Sequence, residues 1–373
     1  VSAVRATVIG AGIMGAAVGY HLARTGAAVQ ILEAAAPATA TTGATFARLS
    51  AFDKSPREYF ELNHAGMIEH ARLAEQLGTA AWYHRSGSVL LAEEAGDDLA
   101  ARAELFQQWG YALRWQDGDR TTRELGVRAE LPDRVLHADD EGWVDAVALT
   151  RRLLTEAAGH GAALRTGARV TGLERGRTGW TVTVNGAERL GCDIVVNAAG
   201  EGSVAVAAPA GSALALVPSQ GLLIPAATPD GTLRRTLHGS RVSIRPDGPG
   251  RVLLRSEPVD RVLAGHDAPP EPSLLRKLAG EVLAHATRLV PGLAPADPRI
   301  GRRVLPRGGY PRVGGSPELP GYYEAVAHSG VILAPLVGRL IAEEISTGRV
   351  PDLVGPYRPQ AAAEQGGPDH RDA

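Results

Sequence analysis

The first thirty-three residues constrain the fold more than any other part of the chain. ATVIG (6–10) reads as a short apolar strand. AGIMGAAVGYHLARTG carries apolar residues on a helical period and stops at Gly26, and AAVQILE (27–33) is a second strand that ends on an acid. Gly10, Gly12 and Gly15 form G-x-G-x-x-G in the turn between strand and helix, and Glu33 follows Gly10 by 23 residues. Gly10 allows the tight turn, Gly12 lets the backbone approach a pyrophosphate, and Gly15 lets helix and sheet pack closely. The helix start offers unpaired N–H groups and the positive end of a dipole to the phosphates. Glu33 can accept hydrogen bonds from ribose hydroxyls, and it argues against NADP because it would repel a 2′-phosphate. Ile13 and Met14 at the helix start and Ala34 after the acid join the same expected nucleotide contacts. This unit predicts a dinucleotide-binding α/β fold, without choosing between NAD and FAD.

The rest of the chain shows how that unit is embedded. TTGATFARLS (41–50) follows the second strand and is too rich in Thr and Gly for a good helix start. A long helix is expected over 56–80, a strand over 86–94 and a helix over 95–110. Asp145 is placed to cap a helix over 147–159. ALRTGARVTGLER reads as one strand, TGWTVTVNG as its hairpin partner, and CDIVVNAAG as a parallel strand ending on small residues. From 214 to 255 the pattern is strand-rich, and PDGPG marks a hairpin between VSIR and RVLLR. A helix over 271–290 precedes an irregular, Pro-rich stretch over 291–300. Residues 322–348 read as strand, Gly-containing turn and helix. PQAAAEQGGPDHRDA at the end reads as a frayed tail. The nucleotide elements are therefore discontinuous: 1–55, 145–215 and 300–357 group as a cofactor-binding domain, 56–144 and 216–299 as a substrate domain, and 358–373 as a flexible tail. An NAD dehydrogenase usually keeps its dinucleotide unit contiguous, so the layout disfavours one.

Composition narrows the classes. With 373 residues, 44% of them hydrophobic, there is material for two cores. A formal net charge of −2 gives no reason to expect nucleic acid or an anionic membrane as partner. No run of apolar residues is long enough for a transmembrane helix and no secretory leader is visible, so the expectation is a cytoplasmic protein. Cys192 is the only cysteine, which excludes an internal disulfide and any Cys-based zinc cluster; no metal site is expected. Of 39 basic residues, only Lys54 and Lys277 are lysines.

These motifs together resemble the D-amino-acid-oxidase-like family of FAD enzymes, which includes glycine oxidase and sarcosine oxidase. The resemblance is carried by VIGAGIMGAAVGYHLARTG with Glu33, then TTGAT, EGWVDAVALTRRL, RVTGLE, DIVVNAAGEGS and AHSGVILAPLVGRLIAE, in the family's order. It implies a glutathione-reductase-type FAD-binding domain plus a mixed β-sheet substrate domain. It also implies that Gly10, Gly12 and Gly15 face the FAD pyrophosphate and Glu33 the adenosine ribose. Thr42, Gly43, Ala44 and Thr45 would run under the pyrophosphate toward the flavin. Val170 would meet the adenine through its backbone, and Ala198, Ala199 and Gly200 would pass close to the dinucleotide. Ser329, Gly330, Val331 and Ile332 would begin the final helix at the flavin N1–C2 edge, where N–H donors stabilise the charge of the reduced ring.

The activity implied is oxidation of the C–N bond of an amino acid or N-substituted glycine, by hydride transfer to flavin N5. The product is an imine that hydrolyses, with O2 reduced to H2O2. A dehydrogenase passing electrons to a quinone or carrier is the alternative, and a non-catalytic FAD-binding scaffold is the alternative of another class. A small-molecule amine is the expected partner, and the sequence leaves a homo-oligomer open. Arg303, ahead of a G-G-x-P-x-V-G turn, matches the arginine that holds the substrate carboxylate, a task suited to a bidentate guanidinium. Its neighbour Arg302 would point the other way along the strand. Arg48 and His328 are further candidates near the flavin, and Arg245 and Tyr310 stand behind them. Cys192 does not match the cysteine that attaches flavin in some relatives, so non-covalent FAD is expected. Neither lysine matches the oxygen-activating lysine of some oxidases.

Overall fold

The computed structural model describes residues 3–78, 82–92, 97–266 and 268–359. Its centre is a six-stranded sheet. The first strand (Arg5–Ile9) lies between the second (Ala28–Leu32) and Ile194–Asn197, parallel to both. Ala163–Arg165 extends the sheet beyond the second strand. Tyr322–Val326 and the antiparallel edge Arg312–Gly315 extend it on the other side. These strands come from widely separated parts of the chain, because each crossover leaves the sheet to build something else.

One face of the sheet is covered by the glycine-turn helix (Ile13–Arg24), the helix Ala146–Gly159 and the final helix (Gly330–Thr347). The glycine-turn helix is buried from Ile13 to Ala23, so its small residues are packing surface on every side. A Cβ on Gly338 would stand 2.6 Å from the Ala17 backbone, so the first and last helices cross at a distance that only glycine permits. Asp145 caps the middle helix as the sequence predicts, accepting from the Ala148 N–H at 2.9 Å. The other face carries an antiparallel meander, Val170–Gly176, Gly179–Val184 and Glu188–Cys192. Trp180, Val182 and Cys192 from the meander pack with Ile9, Leu32, Val195 and Tyr322 from the sheet. The stretch ALRTGARVTGLER is thus two strands, not one. Gly167, at φ +64°, turns the chain between the sheet strand and the meander strand.

A second, nine-stranded sheet is mostly antiparallel, with one parallel pair between Ser88–Leu90 and Thr236–His238. The hairpin Ser243–Pro246 with Arg251–Arg255 forms around PDGPG as expected. The helix Pro272–Leu289 lays Leu278, Val282, Ala286 and Leu289 against Leu222, Ile224, Val252 and Leu254 of this sheet. The Pro-rich stretch read as irregular contains two short strands, Ala294–Pro295 and Arg299–Arg302. Both pair with Gln220–Ala227. Short strands bordered by proline carry too little periodicity to be seen in sequence. Of the expected tail, Arg358 is held by Glu344 at 2.8 Å, and 360–373 lie outside the described residues. Among the described residues, no helix is long and apolar enough to cross a membrane.

Candidate active site

The glycine turn is shaped by its neighbours' backbones. A Cβ on Gly10, whose φ is +104°, would meet the Ala198 carbonyl oxygen at 2.5 Å, and one on Gly15 would collide with the Gly10 carbonyl. This is why a small-residue strand end, Ala198 to Gly200, lies beside the turn: the Ala198 N–H bonds the Ile9 carbonyl at 2.9 Å. Glu33 sits across the opening. Its two oxygens accept from the Ala11 and Ala35 N–H groups at 2.8 Å each, which fixes the carboxylate beside Ala34 with lone pairs to spare for hydroxyl donors. The Glu33 carbonyl accepts from Ala168, two residues before Val170, so that strand end is tied to the same corner.

TTGAT forms a single 3₁₀ turn, Thr41–Ala44, against the start of the glycine-turn helix. Thr42 Oγ accepts from the Ile13 N–H at 3.1 Å, which pairs one of the free amides of a helix that has no side-chain cap. Thr41 Oγ is buried without a partner on the wall of the cavity that opens beyond the turn. An orphaned hydroxyl there, a glycine cradle and an acid placed for ribose together fit a bound dinucleotide.

That cavity brings together residues from four parts of the chain: Ala44 to Arg48, Lys54, the strand ends carrying Arg255 and Arg303, and His328 to Ile332. The N-terminus of the final helix opens into it, and the long helix Arg57–Gln76 positions that end. Tyr59 Oη and Ser329 Oγ are 2.9 Å apart, His70 Nε2 meets the Val331 carbonyl at 2.8 Å, and a Cβ on Gly66 would lie 2.7 Å from the Ile332 carbonyl.

Arg303 is held from behind. Its Nη1 donates to Asp260 Oδ2 at 3.1 Å and its Nε to Ser219 Oγ at 3.0 Å. Arg255 Nε donates to the same Asp260 oxygen at 2.7 Å, and the other Asp260 oxygen accepts from the Leu222 N–H. One buried carboxylate therefore orders two guanidiniums. Arg302 is turned outward, as alternation predicts, toward Glu201. Arg48 lines the cavity, but both its Nε and Nη2 donate to Glu141, which is fully buried and also takes Ser50 Oγ and Tyr111 Oη. Its charge is already neutralised.

The His328 ring stands open to the cavity, yet protein surrounds that cavity. Burial lowers its pKa to about 3, and Lys54, Arg303 and Arg255 lower it further by repulsion. It is a neutral donor and acceptor at working pH. Burial likewise lowers the Lys54 pKa to about 8, with Arg255 and Arg48 contributing.

Two sequence candidates lie elsewhere. Arg245 lines a second cavity with Thr42, Gly43 and Thr45, where it donates to the Phe46 and Pro246 carbonyls and to Asp247 and stacks on Trp143. Its Nε and Nη1 are engaged by protein, because its strand faces the back of the Phe46 segment. Tyr310 lines neither cavity; its ring packs edge-on against Tyr59 at 5.4 Å. Lys54, Arg255 and Asp260 also line the cavity, and the sequence reading did not place them there. Lys54 carried a signal, being one of two lysines in an arginine-rich chain. Arg255 and Asp260 carried none, since only the pairing of separate strands brings them to Arg303.

Comparison with known proteins agrees with this architecture. A glycine oxidase from Geobacillus kaustophilus is 26% identical over 354 residues, covering 90% of this chain and 91% of that protein. The crystal structure of glycine oxidase from that organism superposes with a TM-score of 0.83 at 22% identity, covering 95% of this chain and 98% of the other. An L-proline dehydrogenase from P. horikoshii superposes with a TM-score of 0.81 at 19% identity, covering 96% and 97%. The model of the FAD dependent oxidoreductase (DAO) family matches residues 5–344, and the chain belongs to that family.

Proposed function

We propose that this protein oxidises the C–N bond of a small carboxylated amine, an amino acid or N-substituted glycine, and passes the electrons to O2. The observation that carries this reading is the Arg303–Asp260–Arg255 arrangement facing the same cavity as the final helix N-terminus and the Thr41–Thr45 turn. Gly10, Gly12, Gly15 and Glu33 would hold the dinucleotide of FAD, and Ala44, Thr45 and Ser329 to Ile332 the ring. Bound there, FAD supplies a two-electron acceptor for the hydride of the amine carbon. Arg303 would fix the substrate carboxylate, with Asp260 and Ser219 keeping the guanidinium in one orientation before substrate arrives. Neutral His328 can accept a hydrogen bond from the amine without adding charge that would oppose its oxidation. The uncapped amides of the final helix would stabilise negative charge that develops beside them. Cys192 lies buried against Trp180 and Tyr322 and lines neither cavity, which supports non-covalent FAD.

The similarity of the fold to both a glycine oxidase and a proline dehydrogenase leaves the acceptor to experiment. Anaerobic titration with amino acids and N-substituted glycines should bleach the yellow flavin, and the same substrates under air should produce peroxide. Bleaching and dye reduction without peroxide would replace O2 by a quinone or carrier. A flavin that no amine bleaches would refute the catalytic reading. Acid precipitation should release all the flavin into the supernatant.

A further inference from the structure

The charges on the cavity wall do not balance. Arg48 is matched by Glu141. Arg255 and Arg303 share the single carboxylate of Asp260, which leaves one positive charge. Lys54 makes no ion pair with any described residue. Its ammonium lies 5.8 Å from the centroid of the Tyr59 ring, and Asp53, its sequence neighbour, is taken by Arg102 at 2.7 Å. Glu257 acts on Lys54 through space alone. Two cationic charges without an ion-pair partner of their own therefore face one cavity, flanked by Leu222, Val304 and Ile332, with Glu257 acting on Lys54 and Arg303 only through space. They reach it from different sides, one pair from the second sheet and Lys54 from the loop before the helix Arg57–Gln76. Uncompensated charge in partly buried surroundings is costly, so such a wall is complementary to a dianion.

We propose that the substrate carries two carboxylates, one held by Arg303 with Arg255 and the other by Lys54. The inference rests on the proposed function for the amine between them. The class is an acidic amino acid or a secondary amine bearing a carboxylate on each arm. The amine itself must be neutral to give up its hydride, so it adds no positive charge, and a monocarboxylate would leave Lys54 unmatched.

The test compares two non-oxidisable ligands that differ by one carboxylate: thiodiacetate and (methylthio)acetate. Their dissociation constants for the FAD-loaded protein are read from flavin absorbance changes and from calorimetry. Thiodiacetate should bind about 30-fold or more tightly than (methylthio)acetate, the scale of a partly buried charge pair. Lys54→Met should erase that advantage by weakening thiodiacetate, while (methylthio)acetate changes by less than about 3-fold; Lys54→Arg should retain most of it. Equal binding of the two ligands by the unaltered protein, or equal weakening of both by Lys54→Met, overturns the proposal. So does a drop in flavin reduction potential in Lys54→Met with ligand preference intact, which would assign the lysine to the reduced ring. Lys54-dependent thiodiacetate binding in a protein whose flavin no amine bleaches would sink the oxidation reading and leave the dianion site standing. Bleaching by amines without charge preference would do the reverse.

Discussion

Replacement of Arg303 by alanine separates a substrate anchor from a structural arginine, because the residues behind it can tolerate the loss. Asp260 keeps Arg255 Nε at 2.7 Å and the Leu222 N–H at 3.0 Å, so no carboxylate is left buried and unpaired. Ser219 Oγ loses one hydrogen bond, worth about 1 kcal/mol. The folded state should therefore fall by only about 1–2 kcal/mol, well short of the 3–5 kcal/mol that orphaning a buried ion costs. Ligand binding should suffer more. Removing one side of a charge-assisted, bidentate contact costs about 2–5 kcal/mol, and Arg255 remains in the cavity to recover part of it. A loss of about 2–4 kcal/mol corresponds to about 30-fold to 700-fold in affinity for a carboxylate ligand. Lysine at this position should restore little, since an ammonium cannot form the fork and cannot also reach Asp260 and Ser219. The assay is ligand titration of the flavin spectrum, with FAD content and Tm as controls. FAD bound, Tm near that of the unaltered protein and ligand affinity unchanged would remove Arg303 from the site. A collapse in stability would show that the Asp260 cluster is scaffold.

The remaining predictions concern charge and packing. The Lys54 pKa of about 8 means that its positive charge is present below that pH and lost above it, so affinity for a dicarboxylate should fall as pH rises through 8. Of the groups acting on it, burial, Arg255 and Arg48 favour the neutral form and Glu257 and Asp53 oppose it; Lys54→Arg should move the decline beyond pH 10. His21 and His70 are buried, with pKa values lowered by burial to about 3 and about 4. Their unfolded forms bind protons below pH 6.5 and their folded forms do not, so stability should decline from pH 6.5 toward 4, read as a falling Tm. Gly66→Ala should lower stability by about 1–3 kcal/mol and shift the flavin spectrum, because the added Cβ stands 2.7 Å from the Ile332 carbonyl at the final helix start. Glu33→Ala should weaken FAD binding by about 10-fold without altering the ligand preference of the distant cavity, the size of one or two hydrogen bonds; unchanged FAD affinity would remove Glu33 from the ribose site.

What could be read from the sequence divides along the range of the interactions. The glycine turn, its helix and Glu33 are adjacent in the chain, and each residue type answers a local demand: positive φ at Gly10, close approach at Gly15, an acid at a strand tip. The same holds for Asp145, whose cap reaches three residues, and for the PDGPG hairpin. The sequence stops being informative where a side chain's surroundings are set by a distant partner. Arg48 and Arg245 look alike in sequence, but Arg48 reaches the cavity wall only to be neutralised by Glu141, and Arg245 is spent on the Phe46 carbonyl 199 residues away. Arg303 could be proposed from its following turn and does line the cavity, whereas Asp260 and Arg255 beside it could not be named from sequence, because they meet it only through the pairing of Arg299–Arg302 with Gln220–Ala227 and of that strand with Arg251–Arg255.

The same division explains why cofactor and substrate separate so clearly in this chain. A dinucleotide is held largely by backbone amides and tight turns, so its site is written in glycines and short motifs that survive in a linear reading. A small amine is recognised by a few charges whose sum matters more than any one of them. That sum is a property of the assembled wall: Glu141 subtracts Arg48, Asp260 subtracts one of two arginines, and Lys54 stays unmatched. On the proposed reading, single acids behind the cavity would set the charge its wall presents to a substrate, without touching the residues that contact the ligand. Ser50 and Tyr111 complete the bonds of Glu141 and so help to hold the carboxylate that neutralises Arg48. Glu141→Gln would leave Arg48 as a third uncompensated cation. It should tighten thiodiacetate binding while costing stability, and weaker binding at unchanged FAD content would show that charge balance does not govern this cavity.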